Sequence, residues 1–439
     1  MSELKRALGL WQATMFGIGL ILGAGIYVVI GRTAAYAGPL IWLSVVVAGL
    51  IALFTGLSYA ELSGLYPKAS SSYFYVKRAF DKQEMLAFLV GWMIFFEAAS
   101  GAATAAVGFS RYFIEIFQLN IFNRNITLIL ASAVAILIFT YVNYLGIEES
   151  SKLNIAFTLV EVSGLIIVII LGALFGRVNP DYVSMPPKGW IGILQGAALI
   201  FFAYVGFELM ATTSEETIDA RRTMPKAIIL ALTVCGLLYL LVALSVVKLM
   251  DWRELAIAGA PLASAVESVL GSMGWYLLAS IALFSTSNTI LGFLVSSSRI
   301  AYGMSYDGML NPKLSLVHPR RKTPHYSVIL AGFVALFEVV VSGFYEDPIK
   351  VIDVVAKSSN LGCLIAFIFV NFSVLILRRR YPDAERPFKI PLAPLNIPLT
   401  SLIGVLLCAL TIVLVFHETL VWAITLAILG LGLAIKTRR

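Results

Sequence analysis

Charge is scarce in this chain. Asp, Glu, Lys and Arg make up 13% of its 439 residues, against about a quarter in a typical soluble domain. Histidine and cysteine are scarcer still, at three residues each. Cys235, Cys363 and Cys408 stand singly within apolar runs. They offer no metal-ligand spacing and no evident disulfide pair, so the redox compartment is not readable from them. His318, His325 and His417 lie in or beside polar connections, without a paired-aspartate or His-Glu motif. A membrane-embedded enzyme would need such a cluster, so an enzyme is not expected, nor a metal or a cofactor. No repeated filter or charged ring is visible, which argues against a channel. The net charge of +7 does not point to nucleic acid, because basic residues of membrane proteins gather in cytoplasmic connections.

What is abundant is apolar sequence, 59% of the chain. A spanning helix needs about 20 apolar residues. Twelve candidate spans follow, roughly 10–31, 40–65, 84–116, 125–146, 153–176, 190–213, 226–249, 270–304, 326–345, 351–378, 393–415 and 417–436. The fold class is an all-α polytopic membrane protein. Several runs exceed one bilayer thickness, which implies tilt or helical extension. The first run is too long for the core of a cleavable signal peptide and reads as a retained span. The longest polar connections, near 305–325 and 378–392, are short and basic. No soluble domain fits, and residues 1–439 read as one transmembrane domain in the lipid bilayer.

Charge orients the spans. With the N-terminus inside, one set of connections holds most of the basic residues, including Lys5, Arg6, Lys77, Arg78, Arg221, Arg222, Arg320, Arg321, Lys322, Arg378, Arg379, Arg380 and Arg386. The other set holds only Arg32, Arg111, Arg124, Arg177, Lys188, Lys248, Arg253 and Lys350. This bias predicts a multi-pass protein of the cell membrane with both termini cytoplasmic.

Two of the apolar runs are unusual. Gly17, Gly19, Gly23 and Gly25 crowd the middle of the first span, although each glycine disfavours helix by roughly 1 kcal/mol relative to Ala. Irregular backbone at that depth must line a protein cavity. A broken helix there can aim N–H groups at an anionic group and carbonyls at a cation. The same glycines also suit close helix packing, since Gly19-x-x-x-Gly23 is a small-xxx-small face. A dinucleotide loop is excluded, because no alternation of strands and helices surrounds it. The second run is Phe201-Phe202-Ala203-Tyr204-Val205-Gly206-Phe207-Glu208, in the sixth span. Breaks five spans apart point to an inverted repeat. Residues 10–176 would form one half and 190–378 the other, with accessory helices over 393–436.

Carboxyl groups within spans are costly and are functional candidates by default. Glu97 precedes a small-residue run suited to helix packing. Glu208 adjoins the second break, where it can cap, gate or pair with charge. Glu338 lies towards the end of its span and can reach the headgroups. Glu215 and Glu216 follow the sixth span near Arg221 and Arg222 and read as structural. Glu161 is flanked by apolar residues, with no basic residue within helical reach. Burial favours the neutral form of a carboxyl, which makes Glu161 a candidate proton carrier. The eighth span carries Ser285-Thr286-Ser287-Asn288-Thr289 and Ser296-Ser297-Ser298. Such hydroxyls coordinate a small cation or bond the preceding turn of their own helix.

These segments together resemble the amino acid–polyamine–organocation transporter superfamily. The resemblance rests on Gly23-Ala24-Gly25-Ile26, Ser58-Tyr59-Ala60-Glu61-Leu62, Tyr66-Pro67 and Gly91-Trp92. It continues in Phe202-Ala203-Tyr204 with Gly206-Phe207, Glu215-Glu216, Met224-Pro225-Lys226-Ala227-Ile228, Ser298-Arg299 and Asp307-Gly308. It implies twelve transmembrane helices in the leucine-transporter fold, with a five-plus-five inverted repeat and broken first and sixth helices. It further implies proton-coupled uptake or exchange of amino acids. In such proteins the substrate carboxylate meets first-span N–H groups, here Gly23, Ala24 and Gly25. The ammonium meets sixth-span carbonyls, here Phe202, Ala203 and Tyr204, with Phe202 closing over the substrate and Ile26 and Phe207 nearby. Where several subfamilies hold a lysine in the fifth span, and sodium-coupled relatives an ion, this chain has Glu161. A proton on Glu161, bonded to a carbonyl near Leu22 or to Ser285, is one expectation. Sodium held by Glu161, Ser285 and Thr289 is the other. An amine or polyamine exchanger using Glu97 or Glu208 is the alternative within the class.

Overall fold

The computed structural model describes residues 3–119, 122–183 and 185–415. In chain order its helices are α1 (Leu10–Ala37), α2 (Ile41–Leu65), α3 (Ser72–Ala79), α4 (Glu84–Phe117) and α5 (Arg124–Leu145). There follow α6 (Ile147–Phe175), α7 (Gly189–Ile200), α8 (Phe207–Met210), α9 (Ala220–Leu249) and α10 (Trp252–Ile257). The last five are α11 (Pro261–Leu270), α12 (Ser272–Tyr306), α13 (His325–Ser342), α14 (Pro348–Arg380) and α15 (Leu399–Val415). Among the described residues, ten helices are long and apolar enough to cross a membrane. The eleventh expected span appears as α15, which is shorter at 17 residues. The twelfth, 417–436, lies outside the described residues. The helices overrun the apolar runs at several ends. α6, for example, begins at Ile147, six residues before the expected start. Glu148 and Glu149 occupy its first turn, where carboxylates favour the positive end of the helix dipole.

Two interruptions organise the interior. α1 leaves helical geometry at Gly23, with φ −1° and ψ −172°. α7 gives way to a 3-10 turn over Phe201–Tyr204. Val205 is then extended, and Gly206 takes φ +125° before the one-turn α8. A side chain at Gly206 would be strained at that angle, and its Cβ would also fall 2.8 Å from the Leu20 carbonyl oxygen. A second 3-10 turn, Ala211–Glu216, completes the segment. α1 packs on the interrupted segment and on α6, α9 and α12, while α12 packs on α4. Every residue from Ser285 to Ser305 of α12 is buried. The two breaks therefore meet at the centre of the molecule, with α12 beside them.

Buried charge ties the segment after the second break to its neighbours. Glu216 does not face Arg221 and Arg222. It accepts two bonds from Arg299 of α12, Nε to Oε2 and Nη2 to Oε1, each 2.9 Å. Arg299 Nη1 also donates to Asn143 of α5 at 2.5 Å. The Glu216 carbonyl accepts from the N–H groups of Ala7 and Leu8 at 2.9 and 3.0 Å, and Ile218 N–H donates to the Leu8 carbonyl at 2.8 Å. One carboxylate position thus joins α12, α5 and the entry to α1. A second buried pair, Glu61 with Arg378, joins α2 to the end of α14, with Ile390 N–H donating to Glu61 at 2.9 Å. Removing one partner of a buried pair strands the other charge, at a cost of about 3–5 kcal/mol. We expect Arg299→Ala to lower the thermal unfolding temperature in detergent sharply. Arg299→Met combined with Glu216→Leu should regain part of the loss, because no charge is then left unpaired. Equal stability of wild type and Arg299→Ala would refute the anchoring role.

Candidate functional site

A cavity of about 60 Å³ lies where the breaks meet, several times the 10–15 Å³ that one water requires. Gly23, Gly25, Phe202, Ala203, Glu97 and Thr289 are among the residues lining it. Gly25 is there because the chains cross closely: a Cβ on it would sit 2.9 Å from the Ala203 Cα. Phe202 is 37% exposed, with its ring at the cavity wall. Ala24 lies in the chain between the two lining glycines. Among the described residues Leu22, Ile26, Tyr204 and Phe207 are not part of the wall. Leu22 and Ile26 are fully buried. The Tyr204 hydroxyl donates to the Val45 carbonyl at 3.2 Å. Phe207 packs edge-on to Tyr59, ring centroids 5.8 Å apart.

Glu161 stands behind the first break, wholly buried. Ser285 Oγ donates to its Oε1 at 2.5 Å, and the other oxygen, Oε2, has no hydrogen-bond partner among the described residues. Its neighbours are polar but neutral. Asn288 Nδ2 donates to Thr158 Oγ1 at 2.9 Å, and Asn154 Nδ2 donates to Asn288 Oδ1 at 2.7 Å. The Tyr27 hydroxyl donates to the Glu161 carbonyl at 3.4 Å. Thr289 Oγ1 donates to the Ser285 carbonyl at 3.1 Å, the own-helix bond open to such hydroxyls. The site thus has a carboxyl group beside the α1 break, an acceptor without a donor, and no ion pair to Glu161 among the described residues.

Tyr239 of α9 was not singled out from sequence. Its hydroxyl lies 2.7 Å from the Ile21 carbonyl oxygen and 2.9 Å from that of Ala203, one from each interrupted segment. The Tyr204 ring packs edge-on against it, 5.1 Å between centroids.

Glu208, in the first turn of α8, folds back onto the residue that precedes the helix. The Gly206 N–H donates to both its carboxylate oxygens, at 3.2 and 3.0 Å. Glu97 and Glu208 approach each other at Cys363 of α14, with one ligating atom of each within 4.8 Å of the others. Glu338 does not reach outward: it accepts from Ser100 of α4 at 2.9 Å. A wider cavity of about 830 Å³ elsewhere is lined by charges of both signs, including Arg6, Lys68, Arg78, Glu215, Arg221 and Asp307.

The sequence profile of the amino acid permease family matches residues 8–431. This chain belongs to that family. It is a membrane transporter and not an enzyme. Among curated permeases and transporters, it is 31% identical to the branched-chain amino acid permease BcaP of Bacillus subtilis, over 98% of this chain and 92% of that protein. It is 32% identical to a methylthioribose transporter of the same organism, over 91% of this chain and 87% of that one. It is 31% identical to the vacuolar cationic amino acid transporter 4 of Arabidopsis thaliana, over 87% of this chain and 64% of that longer protein. The superfamily resemblance read from the motifs agrees with these matches. In this permease the interrupted segments, the cavity between them and Glu161 beside them are the features a transport cycle can use.

Proposed function

We propose that the chain is a secondary active transporter that moves amino acids across the cell membrane by alternating access, driven by protons bound at Glu161. The observation that carries the coupling is Glu161 itself, a wholly buried carboxyl with one donor, one unpartnered oxygen and neutral neighbours. A group whose charge differs between two conformations couples its ion to them. The breaks at Gly23 and at Phe201–Gly206, five spans apart in the expected order, support a five-plus-five inverted repeat of the leucine-transporter kind. The basic connections support cytoplasmic termini.

In this reading the substrate carboxylate meets the N–H groups around Gly23–Gly25, and its ammonium meets carbonyls of the second break. The wall is mostly small or apolar, which suits small or apolar side chains. Competition for uptake into proteoliposomes should rank alanine, serine or leucine ahead of lysine and arginine. A second reading rests on one residue: Glu97 brings a carboxyl to the wall. A reversed ranking that Glu97→Gln abolishes would favour a cationic amine substrate. A relative that carries methylthioribose makes that compound a useful member of the panel. Loss of all uptake of amino acids, with methylthioribose still carried, would reject an amino acid substrate.

A further inference from the structure

We propose that Glu97, Glu208 and Cys363 form a binding site for a divalent transition metal of the zinc and cadmium type. The three come from different parts of the chain. Glu97 is on α4, Glu208 opens α8 within the interrupted sixth span, and Cys363 lies on α14. All three are buried, with their ligating atoms within 4.8 Å of one another. Two further observations point to a ligand. Glu97 is only 2% exposed, yet its Oε2 has no hydrogen-bond partner among the described residues. Glu97 also lines the central cavity, so the cluster borders space large enough for water.

The donor set selects the metal class. Two carboxylates and one thiolate suit borderline or soft cations, whereas magnesium and calcium take oxygen ligands and gain nothing from a thiolate. Zinc ligands lie about 2.0–2.3 Å from the ion, so tetrahedral oxygen and sulfur partners sit about 3.3–3.6 Å apart. Side-chain rotation that contracts the cluster by up to about 1.5 Å meets that spacing. Three protein ligands with water in the fourth position is the arrangement of open zinc sites. On binding, the Cys363 S–H bond breaks, its proton passes to water, and the metal takes its place on the sulfur. The thiol of Cys363 lies 4.0 Å from Glu208 Oε1, and the Gly206 N–H donates to both Glu208 oxygens, so Glu208 is held in place and the contraction falls to Glu97 and Cys363. Bound metal would tie α4, α8 and α14 together. α8 belongs to the interrupted segment, so a clamped site stops the movements that alternating access needs. That consequence rests on the transport reading; binding itself does not.

The test titrates Cd²⁺ alone into the purified full-length protein. The readout is the ultraviolet charge-transfer band of a cadmium–thiolate bond. Wild type should show the band, saturating at one ion per chain. Cys363→Ser should remove it, while Cys235→Ser and Cys408→Ser keep it. Glu97→Gln should keep the thiolate but weaken binding by about a hundredfold, at the upper end of what losing a mere supporting hydrogen bond costs. No band in wild type, a band that survives Cys363→Ser, or unchanged affinity in Glu97→Gln overturns the site. In parallel, Zn²⁺ should inhibit uptake by wild type and leave Cys363→Ser uptake unaffected. A cadmium band in a protein that carries no amino acid upholds the metal site and rejects the transport reading. Amino acid uptake without a band does the reverse.

Discussion

Glu161→Gln should retain the fold and substrate exchange but lose the accumulation of substrate that a pH gradient drives. The substitution is close to isosteric. The glutamine carbonyl can still accept the bond from Ser285 Oγ, which the carboxylate now takes at 2.5 Å. What disappears is the ability to carry a proton in one conformation and release it in another. With one proton per substrate, a gradient of one pH unit supports about tenfold accumulation, or 1.36 kcal/mol. The variant should show none, while counterflow between labelled and unlabelled substrate persists. Gradient-driven uptake at the wild-type level in Glu161→Gln would reject the coupling role. Strict dependence on sodium at fixed pH would instead assign the ion to an ionised Glu161 with Ser285 and Thr289.

Gly25→Val should abolish substrate binding in a protein that still inserts and runs as a single species. The reason is the closeness of the crossing. A Cβ at Gly25 meets the Ala203 Cα at 2.9 Å and its Cβ at 3.2 Å. Backbone cannot step aside as a flexible side chain can, so the two breaks must part. The N–H groups proposed to meet the carboxylate then no longer face the carbonyls proposed to meet the ammonium. We expect affinity to fall at least about a hundredfold, or roughly 3 kcal/mol. Gly23→Val is the milder companion. Its Cβ meets Thr289 Oγ1 at 2.6 Å, and a rotamer change relieves that contact while filling part of the cavity. Unchanged affinity in both variants would defeat the carboxylate assignment. A substrate with an amidated carboxylate should bind poorly to wild type for the same reason.

Helices and breaks were legible in the sequence because each has a local cause. Long apolar runs make spans, and glycine crowding near Gly23 or a glycine among aromatics at Gly206 marks where a span stops being regular. Glu161 was legible because a lone carboxyl in an apolar run has no local explanation. Ser285 was nameable as its partner only through the hydroxyl density of the eighth span. Tyr239 was not legible. It is one aromatic in an apolar helix, and its importance comes from two carbonyls more than thirty residues away. Arg299 and Glu216 failed for a related reason. Arg221 and Arg222 are nearer in sequence, but tertiary packing turns Glu216 inward to α12. Cys363 had no spacing to advertise it, because its two neighbours arrive from other helices.

Tyr239 has one hydroxyl proton and stands before two carbonyl oxygens, those of Ile21 and Ala203. It can satisfy only one of them fully at a time. The two carbonyls therefore compete for that one hydroxyl proton. Such a place is electron-rich without any formal charge, and its appetite is for donors. A primary ammonium brings three N–H groups; an ester, ketone or carboxylate brings none. An analogue whose amine is replaced by hydrogen would leave that deficit standing, however well its side chain filled the cavity. Tyr239→Phe, which removes the hydroxyl donor, would deepen it.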